Sequence, residues 1–183
     1  MGKIVLIGDS IIHNMPKSLI GSGTDTIYNR GLDNIGVGVY RECALPHIEY
    51  RRSDVIVVLI GVNNIIRPDC DYDNKETLDD LIEKIKFLIN DIVDGSKGEI
   101  IVQSIYPTNN IIYNKQIEYV NEAISKYCAD IDVYYMNFYN DLLLDKTINK
   151  KYSHDGLRLN YEGYELVAKK LNKRIEELRR NTR

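Results

Sequence analysis

Short aliphatic runs and stripes of helical period alternate along the chain. Lys3–Ile7 is an aliphatic run that stops at Gly8, and Asp54–Ile60 (DVIVVLI) is a β-branched run that stops at Gly61. Glu99–Ile105 (EIIVQSI) runs into Tyr106-Pro107, Asp132–Phe138 (DVYYMNF) comes last, and Thr26–Asn29 is a weaker run ahead of Gly31. Most of these runs are continuous rather than alternating. That is the pattern of strands covered on both faces in a parallel sheet. Between them, Leu78, Leu81, Ile82, Ile85, Leu88, Ile89 and Ile92 make one wide apolar stripe at helical spacing. Ile117, Val120, Ile124 and Tyr127 make a second. Tyr164, Val167, Leu171, Ile175 and Leu178 make a third, with Asn160 placed to cap it. Ile11–Ile20 reads as a helix interrupted by Pro16, and Asp33–Ala44 as a further helical stretch of weaker pattern.

A strand–helix alternation through the whole chain predicts an α/β fold: a three-layer α/β/α, flavodoxin-like sandwich on a five-stranded parallel sheet. The 183 residues show no internal repeat, low-complexity tract or linker, so a single domain spanning 1–183 is expected. The 44% hydrophobic and 28% charged fractions exclude disordered, collagen-like and disulfide-stapled classes. Lys and Arg number 24 against 27 Asp and Glu, a net charge of −3, which argues against a dedicated nucleic-acid binder. Cys43, Cys70 and Cys128 form no Cys-x-x-Cys pair, so neither a zinc knuckle nor a dithiol redox motif is indicated, and a reducing compartment fits. The longest apolar run, Val55–Val62, is far shorter than the ~20 residues needed to span a bilayer. Met1-Gly2-Lys3 leads into only Ile4-Val5-Leu6-Ile7 before Gly8, which is no signal peptide. A cytoplasmic protein without a membrane span is expected. The basic stretch Lys169–Arg183 reads as a solvated helix face with a frayed end, and the fourteen tyrosines as half-buried packing residues.

In open α/β sheets, ligands bind beyond the carboxyl ends of the strands. Gly8-Asp9-Ser10-Ile11 follows the first strand, Asn29-Arg30-Gly31-Leu32-Asp33 the second and Gly61-Val62-Asn63-Asn64 the third. Ser153-His154-Asp155-Gly156-Leu157-Arg158-Leu159-Asn160 precedes the last helix. Each fragment alone is an ordinary cap or turn. Together they bring a serine, backbone glycine, side-chain amide and carboxylate to one edge of one sheet. Acyl transfer needs that set: a nucleophile, oxyanion donors and a group that orients a base.

These segments resemble the four blocks of the SGNH, or GDSL, hydrolases, in order and nearly end to end from Gly8 to Tyr164. Gly8-Asp9-Ser10 matches the first block, with Ile11 where leucine is usual. Gly31 matches the second-block glycine, and Gly61-Val62-Asn63-Asn64 the third block. The last block, Asp-Gly-x-His-x-Asn followed by Gly-Tyr, is matched by Asp155-Gly156-Leu157-Arg158-Leu159-Asn160 and Gly163-Tyr164. The resemblance implies that Ser10 is the nucleophile. It implies an oxyanion hole made of the Ser10 and Gly31 amides and the Asn63 side chain, with Asp155 supporting the base. It further implies hydrolysis of a small acyl ester, an O-acetylated carbohydrate being one such substrate, with no metal or cofactor.

One position departs from the pattern. The family's histidine stands at 158, where this chain has Arg158. A guanidinium stays protonated and has no acceptor lone pair, so it cannot take the Ser10 proton. It can pair with Asp155 three residues away or present its charge to an anionic ligand. Of the three histidines, His154 shares the loop and is the candidate substitute base, while His13 and His47 read as surface or structural residues. Two readings stay open: an ester hydrolase with impaired or rerouted catalysis, and a non-catalytic binding module that holds an anion with Arg158. A flavin- or nucleotide-binding reading has only Gly36-Val37-Gly38 in its favour, a Gly-x-Gly fragment without its context.

Overall fold

A computed structural model describes residues 2–71 and 76–181. Five parallel strands form one sheet in the order β2-β1-β3-β4-β5: β1 Lys3–Gly8, β2 Thr26–Gly31, β3 Val55–Leu59, β4 Glu99–Gln103 and β5 Tyr134–Met136. The continuous runs supply its centre. Every residue of β3 is buried, as are Ile4–Gly8 of β1 and Ile100–Gln103 of β4, whereas the edge strands β2 and β5 are largely half-exposed. Helices cover both faces, giving the expected three-layer α/β sandwich.

The long helices carry the expected stripes. In α4 (Leu78–Gly95), Leu81, Ile82, Ile85, Leu88, Ile89 and Ile92 are buried. Its first turn is closed by a capping box, in which Thr77 Oγ1 accepts from the Asp80 amide and Asp80 Oδ2 from the Thr77 amide. In α5 (Ile111–Asp130), Ile117, Val120, Ile124 and Cys128 face the core. In α7 (Tyr161–Asn181), Tyr164, Val167, Leu171, Ile175 and Leu178 do so, and Asn160 Oδ1 accepts from the Gly163 amide at 3.0 Å as the expected cap.

Several boundaries differ from the sequence reading. The helix expected over Ile11–Ile20 is interrupted at Pro16 as the sequence indicated, and is shorter on both sides. The stretch consists of α1 (Ser10–His13), a break at Asn14–Pro16, and a 3-10 turn Lys17–Leu19. Pro16 lacks the N–H a continuing helix needs, and Asn14 folds its side chain back onto the Ser10 carbonyl at 2.7 Å. Asp33–Ala44 contains only α2 (Val37–Val39), which widens into a π-helical turn over Tyr40–Ala44. Strand β2 runs on to Gly31, because an edge strand tolerates the polar Asn29 and Arg30. Strand β4 stops at Gln103, beyond which Asn121 clips both the amide and the carbonyl of Ile105. Strand β5 is shorter than Asp132–Phe138: Asp132 has φ 57°, and the Phe138 and Tyr139 amides turn to Ser104 Oγ. A short helix, α6 (Tyr139–Leu142), and a two-stranded hairpin, β6 (Leu143–Leu144) with β7 (Thr147–Ile148), follow. The basic C-terminal segment is helical to Asn181, and Arg179 pairs with the buried Asp25 at 2.8 Å. Residues 182–183 of the expected frayed end lie outside the described residues.

The strand order has a functional consequence. The chain steps from β1 to β2 on one side, then crosses back over β1 to β3 on the other. The crevice at that reversal, between the carboxyl ends of β1 and β3, is where an open α/β sheet binds its ligands.

Candidate active site

Ser10 follows β1 at this crevice and opens α1. It is 3% exposed. Asp9 caps the helix, its Oδ1 accepting from the Ile11 amide at 3.0 Å. Burial raises the Asp9 carboxyl to about 7, against the pull of the Ile11, Gly61 and Val62 amides. The Ser10 amide belongs to the first turn, whose N–H groups have no partner within the helix.

Asn63 comes from the end of β3. Gly61 makes the turn with φ 125°, a conformation open to glycine, and α3 (Val62–Ile66) starts at once. Asn63 is also 3% exposed. Its Nδ2 donates one hydrogen to the Ile35 carbonyl at 2.9 Å, and an amide nitrogen carries two.

Gly31 ends β2, but its amide donates to Asn29 Oδ1 at 2.9 Å. As an oxyanion donor it would first have to leave Asn29. Its glycine identity has another cause: a Cβ there would lie 2.1 Å from the His13 nitrogen and 2.6 Å from the Ile12 carbonyl carbon. Gly31 thus lets α1 lie against β2, a role the sequence reading did not give it.

The loop before α7 brings in Asp155 and Arg158. Asp155 Oδ1 accepts from the amides of Leu157 (2.9 Å) and Arg158 (2.7 Å), and Ser153 Oγ donates to it at 3.4 Å. Burial opposes ionisation of Asp155, yet those amides and the Arg158 charge outweigh it and hold the carboxyl below the usual range. Arg158 Nη1 lies 3.3 Å from Asp155 Oδ2, with the two side chains 49% and 45% exposed. The ion pair that the three-residue spacing permitted is formed.

Tyr164 joins these segments, a part that the helical stripe alone did not indicate. Its hydroxyl donates to the Ile11 carbonyl at 2.8 Å, tying α7 to α1. Burial raises its pKa, and Asp9, Arg158, Asp155 and Asp33 all act on it electrostatically. Asp33, from the turn after β2, also acts on Asp9 and lies 3.7 Å from His13 Nε2.

The three histidines are all exposed. His13 Nδ1 is hydrogen-bonded to the Gly31 carbonyl at 3.0 Å, with the ring exposed on α1. His47 is exposed in a 3-10 turn, Leu45–His47. His154 is exposed beside Asp155 and borders a shallow depression with Lys150, Lys151, Asn160, Tyr161 and Glu162.

A parallel α/β sheet with a buried serine and a buried amide side chain beyond its strand ends offers groups that acyl transfer can use. The profile of the GDSL-like lipase/acylhydrolase family matches residues 6–166, and the chain belongs to that family. It is by membership a carboxylic ester hydrolase. Among solved structures it is similar to a Streptococcus pneumonia protein provisionally named a platelet activating factor: 26% identity, 93% of this chain and 82% of that one covered, TM-score 0.79. It is also similar to a GDSL-like lipase from Bacteroides thetaiotaomicron (17% identity, 96% and 88% covered, TM-score 0.79). A lipase/acylhydrolase from Enterococcus faecalis has the same fold (18% identity, 97% and 96% covered, TM-score 0.72). Among curated proteins, no sequence matches significantly. Among the described residues, no helix is long and apolar enough to cross a membrane.

Proposed function

We propose that this chain is a Ser10-dependent ester hydrolase for small acyl esters, O-acetylated carbohydrates included, whose turnover is limited by the absence of a base at Arg158. Ser10 Oγ attacks the acyl carbonyl. The oxyanion that forms accepts hydrogen bonds from the Ser10 amide and the second N–H of Asn63. Collapse expels the alcohol and leaves an acyl-serine, and water then attacks that ester and releases the acid. Both attacks need a proton acceptor beside Ser10. Arg158 has no lone pair to offer, and its guanidinium is committed to Asp155 at 3.3 Å. That ion pair is the observation that carries the reading. A cation at the position where the resemblance expects the base supports limited turnover.

The half-exposed Arg158 guanidinium also favours a second reading, in which the site binds an anionic ligand without turning it over. One experiment separates the two. Hydrolysis of a short chromogenic ester is compared for this sequence, Arg158→His and Ser10→Ala, with fluorophosphonate labelling of Ser10 alongside. A missing triad member costs about 10⁴ in turnover and leaves a residue of about 10³–10⁴ over water. Arg158→His is therefore expected to raise turnover by orders of magnitude, and Ser10→Ala to abolish it. If Arg158→His gains nothing and Ser10 resists labelling, the hydrolase reading fails and the binding module stands.

A further inference from the structure

The Gly36-Val37-Gly38 fragment has no part in the chemistry above, yet the structure gives it an anion. The anion is the chain's own Asp71 carboxylate, with a side chain only 2% exposed. Asp71 Oδ2 accepts from the Gly38 amide at 2.9 Å and Oδ1 from the Val39 amide at 2.9 Å. Successive backbone amides at the start of a helical turn make such an anion cradle. A Cβ on Gly36 would sit 2.2 Å from Asp71 Oδ1. The turn is thus built to admit this carboxylate.

The same carboxylate reaches the site. Asn64 Nδ2 donates to Asp71 Oδ2 at 2.7 Å and to Glu76 Oε2 at 2.9 Å. With its nitrogen held there, Asn64 turns Oδ1 to the Val37 amide at 3.1 Å. Its neighbour Asn63 donates to the Ile35 carbonyl. Lys84 balances the charge, 3.3 Å from Asp71 and 2.5 Å from Glu76. The turn is therefore fastened at Ile35 by Asn63, at Val37 by Asn64, and at Gly38 and Val39 by Asp71. The Ile35 carbonyl can fix the orientation of Asn63 only while the turn beneath it is itself fixed.

We propose that Asp71 is a positioning residue for Asn63: by clamping the 35–39 turn it aims the free Asn63 N–H at the forming oxyanion. This rests on the reading of Asn63 as an oxyanion donor. It predicts a behaviour distinct from loss of stability. Removing an oxyanion donor outright costs about 10²–10³ in rate. Asp71→Asn keeps the volume but weakens the grip on the two amides, and part of that loss, about tenfold, is expected.

The test has two readouts on the full chain. The first is the rate of Ser10 phosphonylation by a fluorophosphonate, for the parent, Asp71→Asn, Asn63→Ala and the double variant. Asp71→Asn is expected to slow labelling, and the double variant to be no slower than Asn63→Ala alone. Additive losses would overturn the proposal. The second is NMR of the Asn63 side-chain amide and hydrogen exchange at Gly38 and Val39, which needs no activity. Asp71→Asn is expected to shift the Asn63 resonances and speed exchange. Asp25→Asn, which removes a buried carboxylate held by Gly2, Ser22 and Arg179 and not by this turn, is expected to leave their exchange at the parent rate. Unmoved Asn63 resonances in folded Asp71→Asn overturn the proposal even if Ser10 is reactive. A parent that resists labelling together with an Arg158→His variant that gains nothing defeats the hydrolase reading, and the NMR result still decides this one.

Discussion

The two halves of the candidate site are built to different standards. On the oxyanion side, Asn63, Asn64 and the 35–39 turn are locked by buried hydrogen bonds around Asp71, Glu76 and Lys84. On the acid–base side, Asp155 and Arg158 are half-exposed and meet in one ion pair. A buried network is costly to disturb because each lost partner strands a polar group away from water. A surface pair is cheap to change, because water and salt replace what it loses. The difference teaches where this site can vary: the exposed Arg158 side chain can be exchanged with little cost, and the Asn63 turn cannot.

Three measurements sharpen that contrast, beginning with the largest effect. Lys84→Met leaves Asp71 and Glu76 buried without their cation. Breaking a buried ion network of this kind costs about 3–5 kcal/mol, and since Lys84 is itself 27% exposed the low end is expected. Denaturant unfolding reads it directly, and a loss under ~1 kcal/mol would erase the distinction between the halves.

Asp9→Asn should come next, through its pH dependence. The Asp9 carboxyl rises from 3.8 unfolded to about 7 folded. Between those values the folded chain holds more protons than the unfolded one, so Asp9 makes stability fall as pH rises through that window. Asparagine keeps the cap to Ile11 and removes the titration. Relative to the parent, the variant should lose a downward slope that approaches ~1.4 kcal/mol per pH unit at most. Parallel stability curves between pH 4 and 7 would refute the shift.

Arg158→Ala should be the smallest. Both partners are half-exposed, so a change below ~1 kcal/mol is expected in unfolding experiments, shrinking further in high salt. A larger loss would mean that the loop is held as firmly as the opposite side.

The same contrast marks what the sequence made legible. The sheet centre and the helices α4, α5 and α7 follow from local periodicity, the strand ends pointed to Ser10 and Asn63, and the segment before the last helix to Asp155. Motif order brought Arg158 to notice, and its three-residue spacing from Asp155 permitted the ion pair. What stayed hidden are contacts between distant positions. Residues 64, 71, 76 and 84 share no period, and only the folded turn joins them to Gly36-Val37-Gly38. The Gly31 amide read as a free donor because its capture by Asn29 depends on how β2 ends. The break expected at Pro16 begins earlier, at Asn14, where a side chain competes with the backbone.

The bond from Tyr164 to Ile11 has a consequence during synthesis. It joins positions 153 residues apart, and Asn172 to Leu19 and Arg179 to Asp25 span like distances. Ser10 leaves the ribosome early, but the helix that braces its backbone follows almost a full chain length later. The central strands can pair while translation continues, whereas α1 waits unbraced for α7. A stalled or prematurely released chain would therefore carry the serine without the architecture that makes it useful.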